Sequence, residues 1–220
     1  MLGELLPPAV RVVEVHDDPP GIELYDQERA LVARAVEARR REFTTGRHCA
    51  RTALARLGFP PVAIAKDGRG GPLWPPGVVG SITHCAGYRA AAVARAADLA
   101  AVGIDAEPAE PLPAGVLDLI SLEGERKELA CLAAAWPGVP WERLLFSAKE
   151  SVYKCWAPIA GTFLDFDGAH VRFDPPTSSF VARLLVPDAE VVAGAEGELH
   201  GRFAVRDGLL VTAIARVATA

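Results

Sequence analysis

Three stretches carry side chains whose types and spacing could handle phosphate. Leu99-Ala-Ala-Val-Gly-Ile-Asp-Ala-Glu107 is an apolar run that ends in two carboxylates two residues apart. On a strand such residues point to the same side, so Asp105 and Glu107 converge. Carboxylates that close repel unless one is protonated or a cation lies between them. Hard cations such as Mg²⁺ favour oxygen ligands and commonly use one or two carboxylates together with substrate phosphates. The pair alone also describes two solvated acids leading into a loop. Phe146-Ser-Ala-Lys-Glu-Ser-Val-Tyr-Lys154 adds a third acid, Glu150, flanked by Lys149 and Lys154. Read alone, Glu150 and Lys154 form a surface i,i+4 pair worth about 0.3 kcal/mol. Read beside Asp105 and Glu107, Glu150 could complete a cation site, with the two lysines neutralising phosphate oxygens. The third stretch, Ala38–Arg51, holds five arginines against one glutamate. Guanidinium forks bind two phosphate oxygens at once.

Gly80-Ser-Ile-Thr-His-Cys85 contributes Ser81, Thr83 and His84. Ser81 and His84 can donate to phosphate oxygens, and a single histidine is as readily a satisfied core residue. No aspartate is placed for a hydrolase triad, and the serine lacks a nucleophile elbow. P-loop and dinucleotide-binding glycine patterns are missing too.

The positioning elements follow from periodicity and turn chemistry. Residues 10–15 read as a strand, 26–41 as a helix, and Thr44 or Thr45 as the cap of a second helix ending at Leu57. Arg39 and Arg47 would then flank a helix break. Residues 66–77 form a turn-rich loop. Strands are expected near 78–83, 88–95 and 100–106, and helices near 122–135 and 141–157. Further strands are expected at 163–166, 169–173, 179–186, 200–206 and 209–216, the last two joined by the hairpin signal Asp207-Gly208. Helix plus short strands in both halves is an α+β pattern. The proline-rich Glu107-Pro-Ala-Glu-Pro-Leu-Pro113 suggests a linker, with an N-terminal lobe over 1–107 and a C-terminal lobe over 108–220.

Composition narrows the function classes. The chain has 220 residues and a formal net charge of −5, with half its residues hydrophobic. That is ordinary globular composition, and the acidic balance argues against a nucleic-acid partner. No apolar run is long enough to span a membrane. The opening Met1–Pro8 lacks a basic segment and carries Glu4, so it is not expected to be a signal peptide. Four widely spaced cysteines, none in a Cys-x-x-Cys, fit free thiols in a reducing cytoplasm. Only four residues are lysine: Lys66, Lys127, Lys149 and Lys154.

Taken in order, Phe43–Arg51, Gly80–Cys85, Val102–Glu107 and Phe146–Lys154 resemble the 4'-phosphopantetheinyl transferases of the Sfp/EntD type. Val102-Gly-Ile-Asp-Ala-Glu107 and Phe146-Ser-Ala-Lys-Glu-Ser-Val-Tyr-Lys154 are similar to that family's Gly-x-Asp and Phe-x-x-Lys-Glu-x-x-x-Lys signatures. Gly71-Pro-Leu-Trp-Pro75 and Leu5-Leu6-Pro7-Pro8 resemble the EntD-like branch. Any one motif is weak, and the ordered set is specific. Beyond Pro158 no motif matches.

The resemblance implies two similar α/β lobes arranged as a pseudo-dimer, with coenzyme A in the cleft between them. It implies Mg²⁺-dependent transfer of phosphopantetheine from coenzyme A to a serine of an apo carrier protein, releasing 3',5'-ADP, with Mn²⁺ as a substitute metal. Asp105, Glu107 and Glu150 would hold the metal, with Glu150, Lys154 and Asp105 as the catalytic set. Arg39, Arg47 and His84 would hold the 3'-phosphate and adenine end, and Lys66 and Arg69 would line the same pocket. Lys149 and Lys154 would contact the phosphates, with Ser81 and Thr83 as weaker contacts. The protein is expected to act as a cytoplasmic monomer. The alternatives are a non-catalytic module binding coenzyme A or a carrier, and a Mg²⁺-dependent phosphohydrolase.

Overall fold

Residues 1–218 are described by a computed structural model, an α+β arrangement of two antiparallel sheets. The first sheet contains β1 (Arg11–His16), β2 (Val78–Cys85) and β3 (Tyr88–Arg95), in the order β1-β3-β2. A short helix α1 (Asp26–Leu31) leads to the long α2 (Glu37–Arg56). The second sheet begins with β4 (Leu99–Pro108). After α3 (Val116–Ile120), α4 (Glu123–Ala135) and α5 (Trp141–Ala160) come β5 (Ala169–Asp174), β6 (Ser179–Leu184), α6 (Ala189–Ala193), β7 (Glu198–Arg206) and β8 (Leu209–Val217). Its order is β4-β8-β7-β6-β5. Each sheet thus carries one 20-residue helix, α2 on the first and α5 on the second. No helix among the described residues is long and apolar enough to cross a membrane.

Strand β3 explains how the sheets stack. Its Tyr-Arg-Ala-Ala-Ala-Val-Ala-Arg sequence is buried on both faces. Ala91 and Val93 join α2's Cys49, Ala50, Ala53 and Leu54 in one core. Ala90, Ala92 and Ala94 join Val102, Ile104 and Ala106 of β4 and Val211 and Ala213 of β8 in another. Small side chains on β3 allow close packing on both sides. The sheets share no backbone ladder. Instead Ile104 N donates to Ser81 Oγ at 3.2 Å and Ala106 N donates to Thr83 Oγ1 at 3.1 Å, so two β2 hydroxyls serve amides of β4.

Several sequence expectations shift. Strand β4 belongs to the second sheet, so the division between sheets falls before β4 rather than after Glu107. The helix break lies at 32–36, and α2 runs unbroken through Thr44 and Thr45. Thr44 donates to Arg40 O at 2.7 Å inside the helix, and Thr45 donates to Asp18 Oδ1 at 2.7 Å, so neither hydroxyl is a cap. Arg39 and Arg47 therefore share one helix. Residues 163–166 form no strand; a 3-10 turn starts at Phe166, whose amide donates to the Asp165 side chain.

Gly103 sets how close α5 comes to β4. A Cβ at this position would lie 2.0 Å from Ser151 O and 2.9 Å from Cys155 N, both backbone atoms. Backbone cannot rotate away as a side chain can, so Gly103→Ala must move the helix. We expect a loss of about 3 kcal/mol in urea unfolding. Wild-type stability in Gly103→Ala would refute this contact.

Candidate active site

The end of β4 meets α5 at Asp105. This residue is 4% exposed, and its two carboxylate oxygens have different surroundings. Oδ1 accepts from Lys154 Nζ at 2.6 Å and from Thr83 Oγ1 at 3.2 Å. Oδ2 is buried and has no hydrogen-bond partner. Glu107, two residues on, takes Arg143 Nη1 on Oε2 at 3.0 Å. Glu150 lies one helical turn before Lys154 on α5 and is partly buried. Burial raises the Glu107 carboxyl above its usual range, and Asp105 raises it further against the pull of Arg143. Burial likewise raises Glu150, with Lys154 opposing and Asp105 reinforcing the shift. Asp105 is thus felt by both neighbours, as in a shared-cation site.

The three acids do not close on one point as tightly as a finished metal centre. Among the described residues, the group whose ligand atoms all lie within 4.8 Å of one another is Glu196, Glu198 and His200, at the start of β7 and the turn before it. That cluster is largely exposed. The Asp105 site has the orphaned buried oxygen, an all-oxygen donor set and strand–helix support, which suit a hard divalent cation.

A basic group sits on the other side of β2. Arg39 Nη1 touches His84 Nε2, and Glu42 lies 3.4 Å from the same guanidinium nitrogen. His84 Nδ1 faces Glu42 at 3.6 Å. Burial, with Arg39 beside it, pushes the His84 imidazole down to about 4. Arg47 is nearly buried; its Nε donates to Ile64 O at 2.8 Å and its guanidinium lies 4.2 Å from the Phe43 ring centroid. Lys66 Nζ lies 5.6 Å from the same ring. Burial lowers Arg47 to about 10. Burial also lowers Lys66, with Arg39 and Arg47 adding repulsion. Cations that repel one another over a shared aromatic ring form a receptor for an anion.

A cavity of about 300 Å³ adjoins Lys154, lined by Arg69, Trp74, Gly80, Ser81, Tyr153 and Ala157 among others. It spans from the 66–74 loop to α5. Arg69 Nη1 donates to Gly161 O at 2.9 Å, so this arginine bridges the mouth of the cavity to the end of α5.

Three expected phosphate contacts are otherwise engaged. Lys149 is 4% exposed and bonds Glu125 Oε2 at 2.8 Å and Phe166 O at 2.6 Å. Glu125 also accepts from Leu122 N and Val171 N. Lys149 therefore fastens α4, α5 and the 161–168 segment and does not stand beside Lys154. Ser81 and Thr83 are buried and serve β4, with Ser81 only bordering the cavity. Sequence reasoning missed Arg143 and Glu42. Arg143 had a readable signal: Glu150 is seven and Lys154 eleven residues further on, which is one stripe of a helix.

Comparison with known proteins identifies the family. The profile described as 4'-phosphopantetheinyl transferase N-terminal domain matches residues 27–94, and that of the 4'-phosphopantetheinyl transferase superfamily matches residues 101–205. The 4'-phosphopantetheinyl transferase Svp of Streptomyces mobaraensis is 56% identical over 204 residues, 93% of this chain and 82% of the relative. The chain belongs to the 4'-phosphopantetheinyl transferase family. The 4'-phosphopantetheinyl transferase PptT of Mycobacterium tuberculosis is 46% identical over 205 residues, 91% of this chain and 89% of the relative. Enterobactin synthase component D of Salmonella typhimurium is 31% identical over 189 residues, 83% and 74% of the two chains. The protein is thus an enzyme, which removes the non-catalytic module as a reading, and a transferase of this family uses coenzyme A.

Two outcomes follow from the burial of Lys149 and the partial burial of His84. Lys149→Met leaves Glu125 without its cation and is expected to cost about 3 kcal/mol in urea unfolding, with the coenzyme A affinity of the folded protein retained. Lost affinity at unchanged stability would return Lys149 to the phosphate site. For His84, the folded chain binds fewer protons than the unfolded chain between about 4 and the ordinary 6.5. Its share of stability is complete above 6.5 and is lost as pH falls toward about 4. His84→Gln should flatten that acid loss in unfolding curves; an unchanged pH profile would contradict a partly buried imidazole held neutral beside Arg39.

Proposed function

We propose that this protein moves 4'-phosphopantetheine from coenzyme A to the serine of an apo carrier protein, with Mg²⁺ held by Asp105, Glu107 and Glu150. The observation that carries this reading is the buried, unpartnered Asp105 Oδ2 beside two further acids. Bound there, the cation would polarise the pyrophosphate and offset the charge developing on the leaving phosphate; Mn²⁺ would serve in its place.

The chain's own groups supply the rest. Arg39, Arg47 and Lys66 hold the 3'-phosphate in the basic pocket, with His84 accepting from Arg39 and so fixing its guanidinium. Arg69 and the cavity beside Trp74 enclose the nucleotide. Glu150 takes the proton of the acceptor serine on a carboxylate oxygen. The serine Oγ then forms its bond to the β-phosphorus while the anhydride bond to 3',5'-ADP breaks. Lys154 Nζ meets the phosphate oxygens and neutralises the leaving group. A carboxylate whose proton affinity is raised by burial is a better base than a solvated one. Transfer should decline at low pH, where a protonated Glu150 can neither accept the serine proton nor help hold the cation.

The protein is proposed to work as a cytoplasmic monomer without a nucleic-acid partner. The net charge of −5 means that any patch meeting an acidic carrier is local. The relatives include an enterobactin synthase component, which points to siderophore assembly among the pathways such carriers serve.

Glu150→Gln is expected to reduce transfer by about 10³-fold with an unchanged melting temperature. The assay is the mass gain of one phosphopantetheine on an apo carrier incubated with coenzyme A and Mg²⁺. Full activity in Glu150→Gln removes the base role. Release of phosphopantetheine from coenzyme A with no carrier present would instead favour the phosphohydrolase reading.

A further inference from the structure

Arg143 stands in the first turn of α5, outside every motif. Its guanidinium makes three contacts at the point where β4 ends. Nη1 donates to Glu107 Oε2 at 3.0 Å, Nε to Glu110 O at 3.2 Å and Nη2 to Pro111 O at 2.8 Å. The Arg143 and Glu107 side chains are 16% and 20% exposed, so solvent competes weakly for the pair. The chain leaves the sheet after Pro108, and the carbonyls beyond it have no strand partner. Arg143 supplies donors to two of them and to the carboxylate with one planar group, which fixes orientation as well as distance.

The arrangement mirrors that of Asp105. Asp105 gives Oδ1 to Lys154 and keeps Oδ2 without a partner. Glu107 gives Oε2 to Arg143, and no hydrogen bond among the described residues engages Oε1. Both cations lie on the α5 stripe that also bears Glu150. Each β4 acid is therefore held by one oxygen and offers the other.

We propose that Arg143 is a positioning residue of the metal centre, which fixes Glu107 through Oε2 and the 108–111 turn so that Oε1 is presented beside Asp105. This rests on the metal reading given above. Arg143 touches neither phosphate nor metal; it acts through Glu107. Groups that orient a metal-binding carboxylate commonly affect metal affinity about 10-fold or more when removed.

The test is Mn²⁺ binding to the full chain in the presence of coenzyme A and without a carrier, read by electron paramagnetic resonance, so that no turnover occurs. Arg143→Met is expected to weaken Mn²⁺ binding by about 10-fold, and Arg143→Lys, which keeps one donor, to recover part of that loss. A double-mutant cycle separates positioning from general structure. In the Glu107→Gln background, Arg143→Met should change Mn²⁺ affinity by less than about twofold. If the two losses multiply instead, Arg143 does not act through Glu107 and the inference is overturned. Should Arg143→Met fail to fold, the same cycle with Arg143→Lys decides. Asp105→Asn tests the underlying reading separately. Wild-type Mn²⁺ binding in Asp105→Asn would displace the metal centre itself. Lost binding there with independent effects at Arg143 and Glu107 would sink only the role given to Arg143.

Discussion

The site depends on a helix backbone lying against a strand backbone. Gly103 leaves β4 without a side chain under Ser151 and Cys155, so α5 can approach to a distance that any Cβ would forbid. That approach lets Lys154 Nζ reach both Ile104 O at 3.2 Å and Asp105 Oδ1 at 2.6 Å. It also lets Ser147 and Ser151 share the Thr212 hydroxyl, at 3.0 and 2.6 Å, directly across from Asp105 in the β4–β8 register. A buried hydroxyl cluster with each member partnered holds the helix in register along the strand. The Gly-Ile-Asp sequence thus couples a packing requirement and a chemical group two residues apart on one strand: glycine admits the helix, and aspartate meets the cation it brings.

Strand β2 divides the charges. Its side chains alternate between two faces, as any strand's must. Ser81 and Thr83 turn toward β4, where they bond its amides and, through Thr83, Asp105. Ile82 packs with the α2 core and His84 meets Arg39 of α2. One wall therefore separates an acidic pocket from a basic one, and the mutual repulsion within each pocket is left for ligands of opposite sign to relieve. A chain of net charge −5 can hold a polyanion in this way because the binding charges are local and partly desolvated.

Much of this was legible in the sequence because the signals are short-range. The alternating apolar runs and the Asp207-Gly208 turn located the strands, and the pairing of Asp105 with Glu107 followed from strand period. What was hidden needed contacts between distant segments. The β2 motif was legible as chemistry and illegible as geometry, since Ser81 and Thr83 could be assigned to β4 only once the sheets were stacked. Arg143 and Glu107 are 36 residues apart, and nothing local to either marks the other. The helix break was misplaced for a different reason: Thr44 and Thr45 carry cap-forming hydroxyls, but one bonds back along its own helix and the other reaches Asp18. Propensity records both options, and tertiary context chooses.

Lys149 and Lys154 show where composition misleads. Four lysines among 23 basic residues invite the idea that each marks a phosphate. Five residues along a helix correspond to a rotation of about 140°, so the two α5 lysines cannot serve one small site. Lys154 shares its side of the helix with Glu150 and faces β4. Lys149 turns away to Glu125, where burial lowers its proton affinity and the carboxylate restores part of it. A cation so enclosed has no room for a ligand and strong reason to keep its partner, because a lone buried charge is far costlier than a paired one. The same residue type therefore fixes the scaffold at one position and meets the substrate at the other, and helical phase decides which.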